Sequence, residues 1–315
     1  MSADDTLAVR AAELCYQDGK SQAEAAALLG INRWKVGRLL AYAKETGIVR
    51  IEIAHPRARR LPLERSLREE YGLRDAIVVP ALADESEQAE RVAAATGDYL
   101  ASLRPVPRTL GISWGRTLQQ VAAALPDGWA SGIEVVQING GVTVNRRVGM
   151  ASATATTIAQ KAGGTVTLLP SPAILEHAST RRAIEDDRMV APILDKARAA
   201  SALVFSAGPV TSASVLVSSG YIAPARMREL VEKGAVGDIV GRFVDSDGHI
   251  VDHELDDRTL GLTLDDLRRA DSAIAVISGA AKRAVARAVV ANNYCSVLVT
   301  DEATATYLLK EKKDR

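Results

Sequence analysis

The sequence is poor in cysteine, histidine and aromatic residues. It contains only two cysteines and four histidines, and aromatic residues make up 4% of its 315 positions. Cys15 and Cys295 lack the CxxC spacing of a zinc or redox site, and the histidines are scattered, so we expect neither a metal nor any other cofactor. Each cysteine lies within an apolar pattern, which predicts buried thiols in a reducing cytoplasm.

Long hydrophobic runs are also missing. No apolar stretch approaches the length of a membrane span, which argues against a membrane partner. The N-terminus is acidic and lacks the apolar core of a signal peptide. These two features predict a cytoplasmic protein.

The formal net charge is zero, but the charge is unevenly distributed. Between Gly19 and Arg60 there are nine lysines and arginines and three glutamates, a net charge of +6, whereas the rest of the chain is net acidic. A chain of 315 residues suggests two domains. Together these features are typical of a small DNA-binding head on a neutral, ligand-sensing body.

Residues 21–40 match a helix-turn-helix motif. Ser21 is a good N-cap for a first helix, Gly30 supplies the turn, and Asn32 caps a second helix that is apolar on one face and basic on the other. Such a motif places its second helix in the major groove of double-stranded DNA. The alternative is an ordinary helical hairpin with a solvated basic face. The residues expected to contact DNA are Gln22, Asn32, Arg33, Trp34, Lys35, Arg38 and Lys44.

The segments around the motif suggest a winged-helix-like head. Residues 4–18 have helical periodicity, and Ile48–Ile53 alternates with period two, as a short wing strand does. A basic, proline-bracketed stretch follows, and we interpret it as a linker. We therefore predict a DNA-binding domain at residues 1–55, a linker at 56–62 and a larger body at 63–315.

The body alternates between apolar strands and amphipathic helices. This pattern predicts an α/β fold with a doubly wound, largely parallel sheet that is covered on both faces. The expected strands are 76–79, 109–113, 134–138, 166–169, 202–206, 239–245, 273–278 and 296–300. The clearest helices are 87–103, 117–125, 151–162, 225–233, 281–292 and 302–310. Asp245–Gly248 is expected to be the turn of a β-hairpin.

Four loops that follow expected strands are rich in glycine and hydroxyl groups, and ligands of doubly wound sheets bind at that edge. They are Gly111–Thr117, Asn139–Gly141, Ser206–Pro209 and Ser278–Lys282. The first loop runs directly into a helix, so its backbone N–H groups, the hydroxyls of Ser113 and Thr117 and the helix dipole suit a phosphate.

Two helices of the body begin with a cation, although helix N-termini favour anionic side chains by ~0.3–1 kcal/mol. Arg116 and Lys282 lie in these first turns, whereas the last helix begins with Asp301 and Glu302. An anionic ligand between each cation and the helix dipole explains this placement. The alternative is that both side chains extend into solvent.

Four blocks of the sequence resemble the signature blocks of SorC-type bacterial transcriptional regulators, and they occur in the same order. The blocks are Gly111–Thr117, Gly234–Asp238, Phe243–Gly248 and Leu298–Glu302. The resemblance covers nearly the whole chain. It implies a tetrameric repressor or activator whose body resembles sugar-phosphate isomerases and glucosamine-phosphate deaminases and binds a phosphorylated sugar.

The resemblance also implies roles for particular residues. Gly115, Arg116 and Thr117 match a phosphate-binding loop, Asp238 matches an acid that faces sugar hydroxyls, and Lys282 matches a phosphate partner. The chain departs from the family pattern at Arg116, where relatives carry a second hydroxyl residue, and at Gly37, where they commonly carry serine. The complete set of expected effector-binding residues is Ser113, Gly115, Arg116, Thr117, Asn139, Gly140, Gly141, Asp238 and Lys282.

Other functions remain open at this point. One is a sugar-phosphate isomerase or deaminase fused to the head, although such an enzyme needs a supported carboxylate base and only Asp238 is a strong candidate, so no catalytic residue is expected. Others are a sensor of an unphosphorylated polyol and a protein-interaction module. A single helix-turn-helix reads few base pairs, so a homo-oligomer is expected, with the amphipathic segment Glu87–Leu103 as a candidate interface and core packing as its alternative.

Overall fold

The computed structural model describes residues 3–49, 58–141 and 150–313. The chain divides into two compact units, Met1–His55 (the head) and Pro56–Arg315 (the body). Within the described part of the chain, every helix is too short or too polar to cross a bilayer.

The described part of the head contains the helices α1 (Ala3–Ala12), α2 (Gln22–Leu29) and α3 (Arg33–Glu45). The helix predicted at residues 4–18 is α1 extended by a π-helical turn, Glu13–Gln17. Ile48 and Val49 form a bend, and the rest of the predicted wing strand lies outside the described residues. The same is true of positions 56 and 57 in the predicted linker.

The predicted caps of the helix-turn-helix are confirmed. The Ser21 hydroxyl accepts a hydrogen bond from the Glu24 backbone N–H (3.3 Å), and the Glu24 carboxylate accepts one from the Ser21 N–H (2.8 Å). This reciprocal capping box adds Glu24 to the predicted cap Ser21. Gly30 ends α2 in the left-handed region (φ 64°), and the Asn32 side chain accepts from the Lys35 N–H (2.8 Å).

The core of the head is built largely from alanine. Small side chains such as that of Ala26 let the helices approach each other closely. The buried apolar residues are Ala8, Ala11, Ala12, Leu14, Ala25, Ala26, Val36, Leu39, Leu40 and Ala43.

The body is an α/β unit. Its helices are α4 (Leu61–Tyr71), α5 (Glu85–Ser102), α6 (Arg116–Ala124), α7 (Met150–Lys161), α8 (Ala178–Glu185), α9 (Ala191–Arg198), α10 (Val215–Ser218), α11 (Pro224–Glu232), α12 (His253–Asp256), α13 (Leu264–Arg269), α14 (Arg283–Ala291) and α15 (Glu302–Lys313). Its strands are β1 (Asp75–Val79), β2 (Thr109–Ile112), β3 (Glu134–Gln137), β4 (Thr165–Thr167), β5 (Ala202–Phe205), β6 (Ala207–Gly208), β7 (Gly237–Ile239), β8 (Arg242–Val244), β9 (Ala273–Val276) and β10 (Val297–Asp301).

Seven strands form a fully parallel sheet in the order β1-β10-β9-β5-β2-β3-β4. Successive residues of a strand point to opposite faces, so Ile77 and Val79 join one hydrophobic cluster whereas Ala76 and Val78 join another. Helices cover both faces, which confirms the predicted doubly wound arrangement.

The prediction of one strand at 239–245 is wrong. The region is an antiparallel hairpin of β7 and β8, and with β6 it forms a second, three-stranded sheet. Val240 (φ 49°) and Gly241 (φ 91°) make its two-residue turn, and positive φ at both positions is what a tight hairpin requires. The turn predicted at Asp245–Gly248 is present, and a single bridge between Val244 and Ile250 follows it.

The amphipathic face of α5 belongs to the core of the body. Val92 and Thr96 are fully buried, and Leu100 is nearly so. The structure thus shows core packing, which was the alternative to an oligomer interface for this helix. The sequence alone does not distinguish the two, because both require one apolar stripe along the helix.

Candidate functional site

A cavity that is partly open to solvent lies at the carboxyl ends of the parallel strands. β2 and β5 are neighbours in the sheet. The next strand of the sheet after β2 is β3, which lies toward one edge, and the next after β5 is β9, which lies toward the opposite edge, so the strand order reverses between β2 and β5. Such a switch point is where doubly wound sheets bind ligands, because the loops on either side diverge and leave a crevice. The cavity is lined by Ser113, Trp114, Gly115, Arg116, Thr117, Asn139, Ser206, Ala207, Gly208, Pro209, Ser214, Val215, Leu216, Asp238, Val240, Gly241 and Lys282.

Lys282 contributes the ammonium group of the cavity. It ends the short 3₁₀ turn Ala280–Lys282, which follows β9. Its Nζ donates to the Thr117 hydroxyl (3.0 Å) and the Ser206 hydroxyl (3.3 Å). Both acceptors are neutral, so these bonds hold the ammonium in position without neutralising it.

Asp238 contributes the carboxylate. It lies in β7 opposite Gly208 of β6, and its Oδ2 accepts a hydrogen bond from the Gly241 N–H (3.0 Å). A Cβ atom at position 208 would lie 2.0 Å from Asp238 Oδ1, so a glycine there is needed to leave room for the carboxylate. The small sheet therefore places an almost fully buried acid (6% exposed) at the wall of the cavity.

Burial changes the ionisation of both groups. Desolvation raises the pKa of Asp238 to about 6, although the Gly241 N–H and the charge of Lys282 act in the opposite direction. Desolvation lowers the pKa of Lys282 to about 8, and the positive charge of Arg116 also lowers it, against the stabilising charge of Asp238. The lysine is therefore mainly protonated at neutral pH, and an added anion would favour its charged form further.

Arg116 lies at the mouth of the cavity in the first turn of α6. Its side chain is exposed, and its guanidinium donates to the Ala213 carbonyl (3.0 Å). The first turn of α6 contains no acidic residue, and Gly115 caps it with φ 119° and no side chain. The N–H groups of this turn lack intrahelical acceptors, so the cavity combines a helix N-terminus with two cations.

Asn139 has a buried side-chain oxygen that lacks a hydrogen-bond donor in the described part of the chain. Its Oδ1 has no hydrogen-bond partner among the described residues, although the residue lines the cavity. Ser113, directly after β2, is also buried and lines the cavity. An unpaired buried acceptor costs ~1–3 kcal/mol, which a hydroxyl donor from a ligand would offset.

Gly140 and Gly141 do not line the cavity, unlike the other seven expected effector-binding residues. The Gly140 N–H donates to the Leu260 carbonyl (3.0 Å), and a Cβ on Gly140 would lie 2.2 Å from the Pro172 carbonyl oxygen. Gly141 exchanges backbone hydrogen bonds with Ser171 and Ala173. The absence of a Cβ on Gly140 therefore lets its backbone pack closely against Pro172 and Ala173, whereas a Cβ on Gly141 would make only ordinary contacts.

The sequence analysis did not select Ser206 or the segment Ser214–Leu216 as site residues. Ser206 lies in a loop that was recognised as glycine-rich, so its position after β5 was a usable signal. The segment Ser214–Leu216 reaches the cavity only through the tertiary fold, and neither its composition nor its spacing marks it.

In the head, the candidate DNA-contacting side chains lie on the outer faces of α2 and α3. Gln22, Asn32, Arg33, Arg38 and Lys44 are exposed, and Lys35 is partly exposed. Trp34, which is also among the residues expected to contact DNA, is 86% exposed and so does not belong to the core of the head. Lys44 Nζ lies 5.7 Å from the centre of the Tyr16 ring, a cation–π contact.

Within the described residues, no group of three or more histidine, cysteine, aspartate or glutamate side chains is arranged to hold a metal ion. The polar groups of the cavity are instead one ammonium, one guanidinium, one carboxylate, one amide and several hydroxyls. This set suits an organic ligand with both anionic and hydroxyl groups.

Comparison with known proteins agrees with this organisation. A family model for a sugar-binding domain matches residues 55–310. The deoxyribonucleoside regulator of Bacillus subtilis is 33% identical over 309 residues, which cover 97% of each chain. The erythritol catabolism regulatory protein of Brucella abortus is 29% identical over 313 residues, which cover 98% of this chain and 97% of that protein.

The similarity extends to a solved structure of full length. The crystal structure of the sorbitol operon regulator of Klebsiella pneumoniae matches with a TM-score of 0.69 and 26% identity, covering 98% of this chain and 100% of that one. The matches thus include both the helical head and the α/β body. The chain belongs to the SorC family of bacterial transcriptional regulators with a sugar-binding domain.

Proposed function

We propose that the protein regulates a carbohydrate catabolism operon and that a phosphorylated sugar or sugar alcohol in the body cavity modulates its binding to operator DNA. The observation that carries this proposal is the contact of the Lys282 ammonium with the N-terminal turn of α6, in a cavity that Asp238 also lines. A phosphate suits the first two groups, and sugar hydroxyls suit the third. The names of the relatives, which refer to deoxyribonucleosides, erythritol and sorbitol, support a carbohydrate ligand.

A thermal-shift screen against pentose, hexose and polyol phosphates, each paired with its unphosphorylated form, tests the ligand class. A ligand at 100 times its dissociation constant stabilises the native state by ~2.7 kcal/mol, which is readily measured as a rise in melting temperature. We expect the phosphorylated member of a pair to give the larger shift. Equal shifts for both members would contradict the phosphate assignment and favour a sensor of an unphosphorylated polyol.

The head is proposed to bind double-stranded operator DNA, with residues 1–55 as the DNA-binding domain and 56–62 as the linker. Its basic outer face and the absence of acidic residues between Ile31 and Lys44 support this role. Residues 63–315 then serve effector binding and oligomerisation. A homo-oligomer, with a tetramer favoured by the family resemblance, would pair two heads across half-sites about 10 bp apart. A monomeric mass in light scattering, with and without ligand, would contradict this assembly.

An isomerase or deaminase activity is the second candidate, because the raised pKa of Asp238 suits a general base. We favour a hydroxyl acceptor without catalysis, since Asp238 is the only carboxylate among the described residues that line the cavity. Incubation with the best-binding sugar phosphate, followed by chromatographic analysis of the products, distinguishes the two. Turnover that disappears in Asp238→Asn would establish an enzyme.

A further inference from the structure

The glycine in the middle of the exposed helix α3 is not required by the head itself. Gly37 is the fifth of the thirteen residues of α3, where glycine costs ~1 kcal/mol relative to alanine. Its backbone is not in the positive-φ region, so an L-residue fits there. A Cβ at position 37 would meet only Gln22 Oε1, at 3.6 Å, which is an ordinary contact with the end of a flexible side chain.

The missing side chain leaves a notch on the outer surface of the head. Trp34, Gly37, Arg38 and Ala41 are spaced three or four residues apart, so they share one face of α3. With Gln22 and Arg33 they line a groove that is open to solvent. Trp34, at 86% exposure, is the most exposed of the large hydrophobic residues in the described chain. The exposed indole and the notch together present an apolar surface that a partner can contact.

The charge around the notch selects the kind of partner. Arg33 and Arg38 flank it, and no acidic residue lies between Ile31 and Lys44. An anionic partner with a small apolar group therefore fits better than an apolar peptide or a second copy of this basic surface. In the major groove of DNA, the only apolar group on a base edge is the 5-methyl group of thymine, and it lies between the phosphates that cations contact.

We propose that Gly37 and Trp34 form a notch that receives the 5-methyl group of one thymine in each operator half-site. The inference rests on the proposed DNA-binding function and adds the base that this part of α3 reads. Glycine is needed because a Cβ at position 37 would occupy the space of the thymine methyl. The glycine at position 37 thus destabilises the helix but makes room for a specific contact with DNA.

The test begins with DNA duplexes selected by the wild-type protein from a random-sequence pool. Each thymine of the best duplex is replaced singly by deoxyuridine, which removes the methyl group and keeps the hydrogen-bonding edge. Fluorescence anisotropy then measures the affinity of each duplex. We expect one position per half-site at which the replacement weakens wild-type binding about fourfold, the factor for one buried methyl-sized group (~0.8 kcal/mol).

The variant Gly37→Ala gives the decisive comparison. We expect it to unfold at a higher denaturant concentration, because alanine favours the helix, and yet to bind the selected duplex more weakly. At the methyl-sensitive position it should no longer distinguish thymine from deoxyuridine. The other thymines of the same duplex are the internal control, since their replacement should affect both proteins equally.

The outcomes separate this inference from the proposed function. If the wild type selects no sequence, the DNA-binding function fails and the notch with it. If it selects a sequence but Gly37→Ala keeps the same affinity and the same deoxyuridine profile, the thymine contact is wrong and the DNA-binding function stands. A change in oligomeric mass with an unchanged profile would also overturn the inference, because the notch would then serve a protein contact.

Discussion

The head and the body hold their functional charges in opposite environments. The head presents cations on the exposed face of α3, above a core made mostly of alanine. The body holds Lys282 and Asp238 in a cavity, its core is made mostly of valine, isoleucine and leucine, and burial moves the pKa of both groups toward neutrality. Exposed charges are screened by salt, whereas buried charges respond to pH and to one another. We therefore expect DNA binding by the head to depend mainly on salt concentration, and effector binding by the body to depend mainly on pH.

Removal of residues 1–60 is expected to have the largest effect. The remaining chain is net acidic, so specific operator binding should disappear, a loss on the order of 10³-fold or more. The binding of a phosphorylated sugar by the body should persist. Mobility-shift assays and calorimetric titration measure the two activities. Operator binding by the truncated protein would show that the head assignment is wrong.

Lys282→Ala tests the cavity in isolation. Removing one partner of a buried charged contact costs ~2–5 kcal/mol, so the affinity for the best phosphorylated ligand should fall roughly 30-fold or more. Operator binding by the ligand-free protein should change little. Lys310→Ala, at an exposed position of α15, is the matched control. A similar loss of affinity for the unphosphorylated sugar would show that Lys282 does not bind the phosphate.

The pH dependence of effector binding distinguishes the buried lysine from the exposed ones. The pKa of Lys282 in the free protein is about 8, and a bound phosphate raises it further. The attraction between the Lys282 ammonium and the phosphate is therefore fully present below pH 8 and is lost as pH rises above 8. The affinity for the effector should fall by at most about tenfold per pH unit while the phosphate stays dianionic. Titrations between pH 7 and 9.5 measure this slope. Lys282→Arg, which stays charged, should give a flat profile, and a flat profile in the wild type would contradict the assignment.

Lys35→Ala should have the smallest effect. Its side chain is partly exposed, and its backbone N–H can still donate to Asn32 in the variant. Loss of one phosphate contact should weaken binding almost equally for all DNA sequences and reduce the slope of log K against log salt by about 1. Binding measured from 50 to 200 mM salt gives the slope. A change in the preferred sequence would place Lys35 at a base edge instead.

Much of the head could be predicted because its signals are local. Ser21, Gly30 and Asn32 each act within one helical turn, by bonds to a residue three positions away or by a single positive φ. In the body, the hydrophobic periodicity of each short segment distinguishes strands from helices, and their alternation was sufficient to predict a parallel sheet. The loops after β2, β5 and β9 could be assigned to one edge because parallel strands end on the same side.

Several features were decided only by contacts between distant residues. The hairpin of β7 and β8 pairs with β6, and the fit of Gly208 against Asp238 joins positions that are thirty residues apart. The sequence shows two adjacent glycines at 140 and 141, but only the close approach of the Pro172 backbone explains why position 140 is a glycine. The sequence alone determined the capped helix-turn-helix, the parallel α/β body and the residue types available for a ligand. The tertiary structure decided which of these residues meet in the cavity and how far burial shifts their ionisation, because pairing and desolvation depend on what the rest of the chain places beside them.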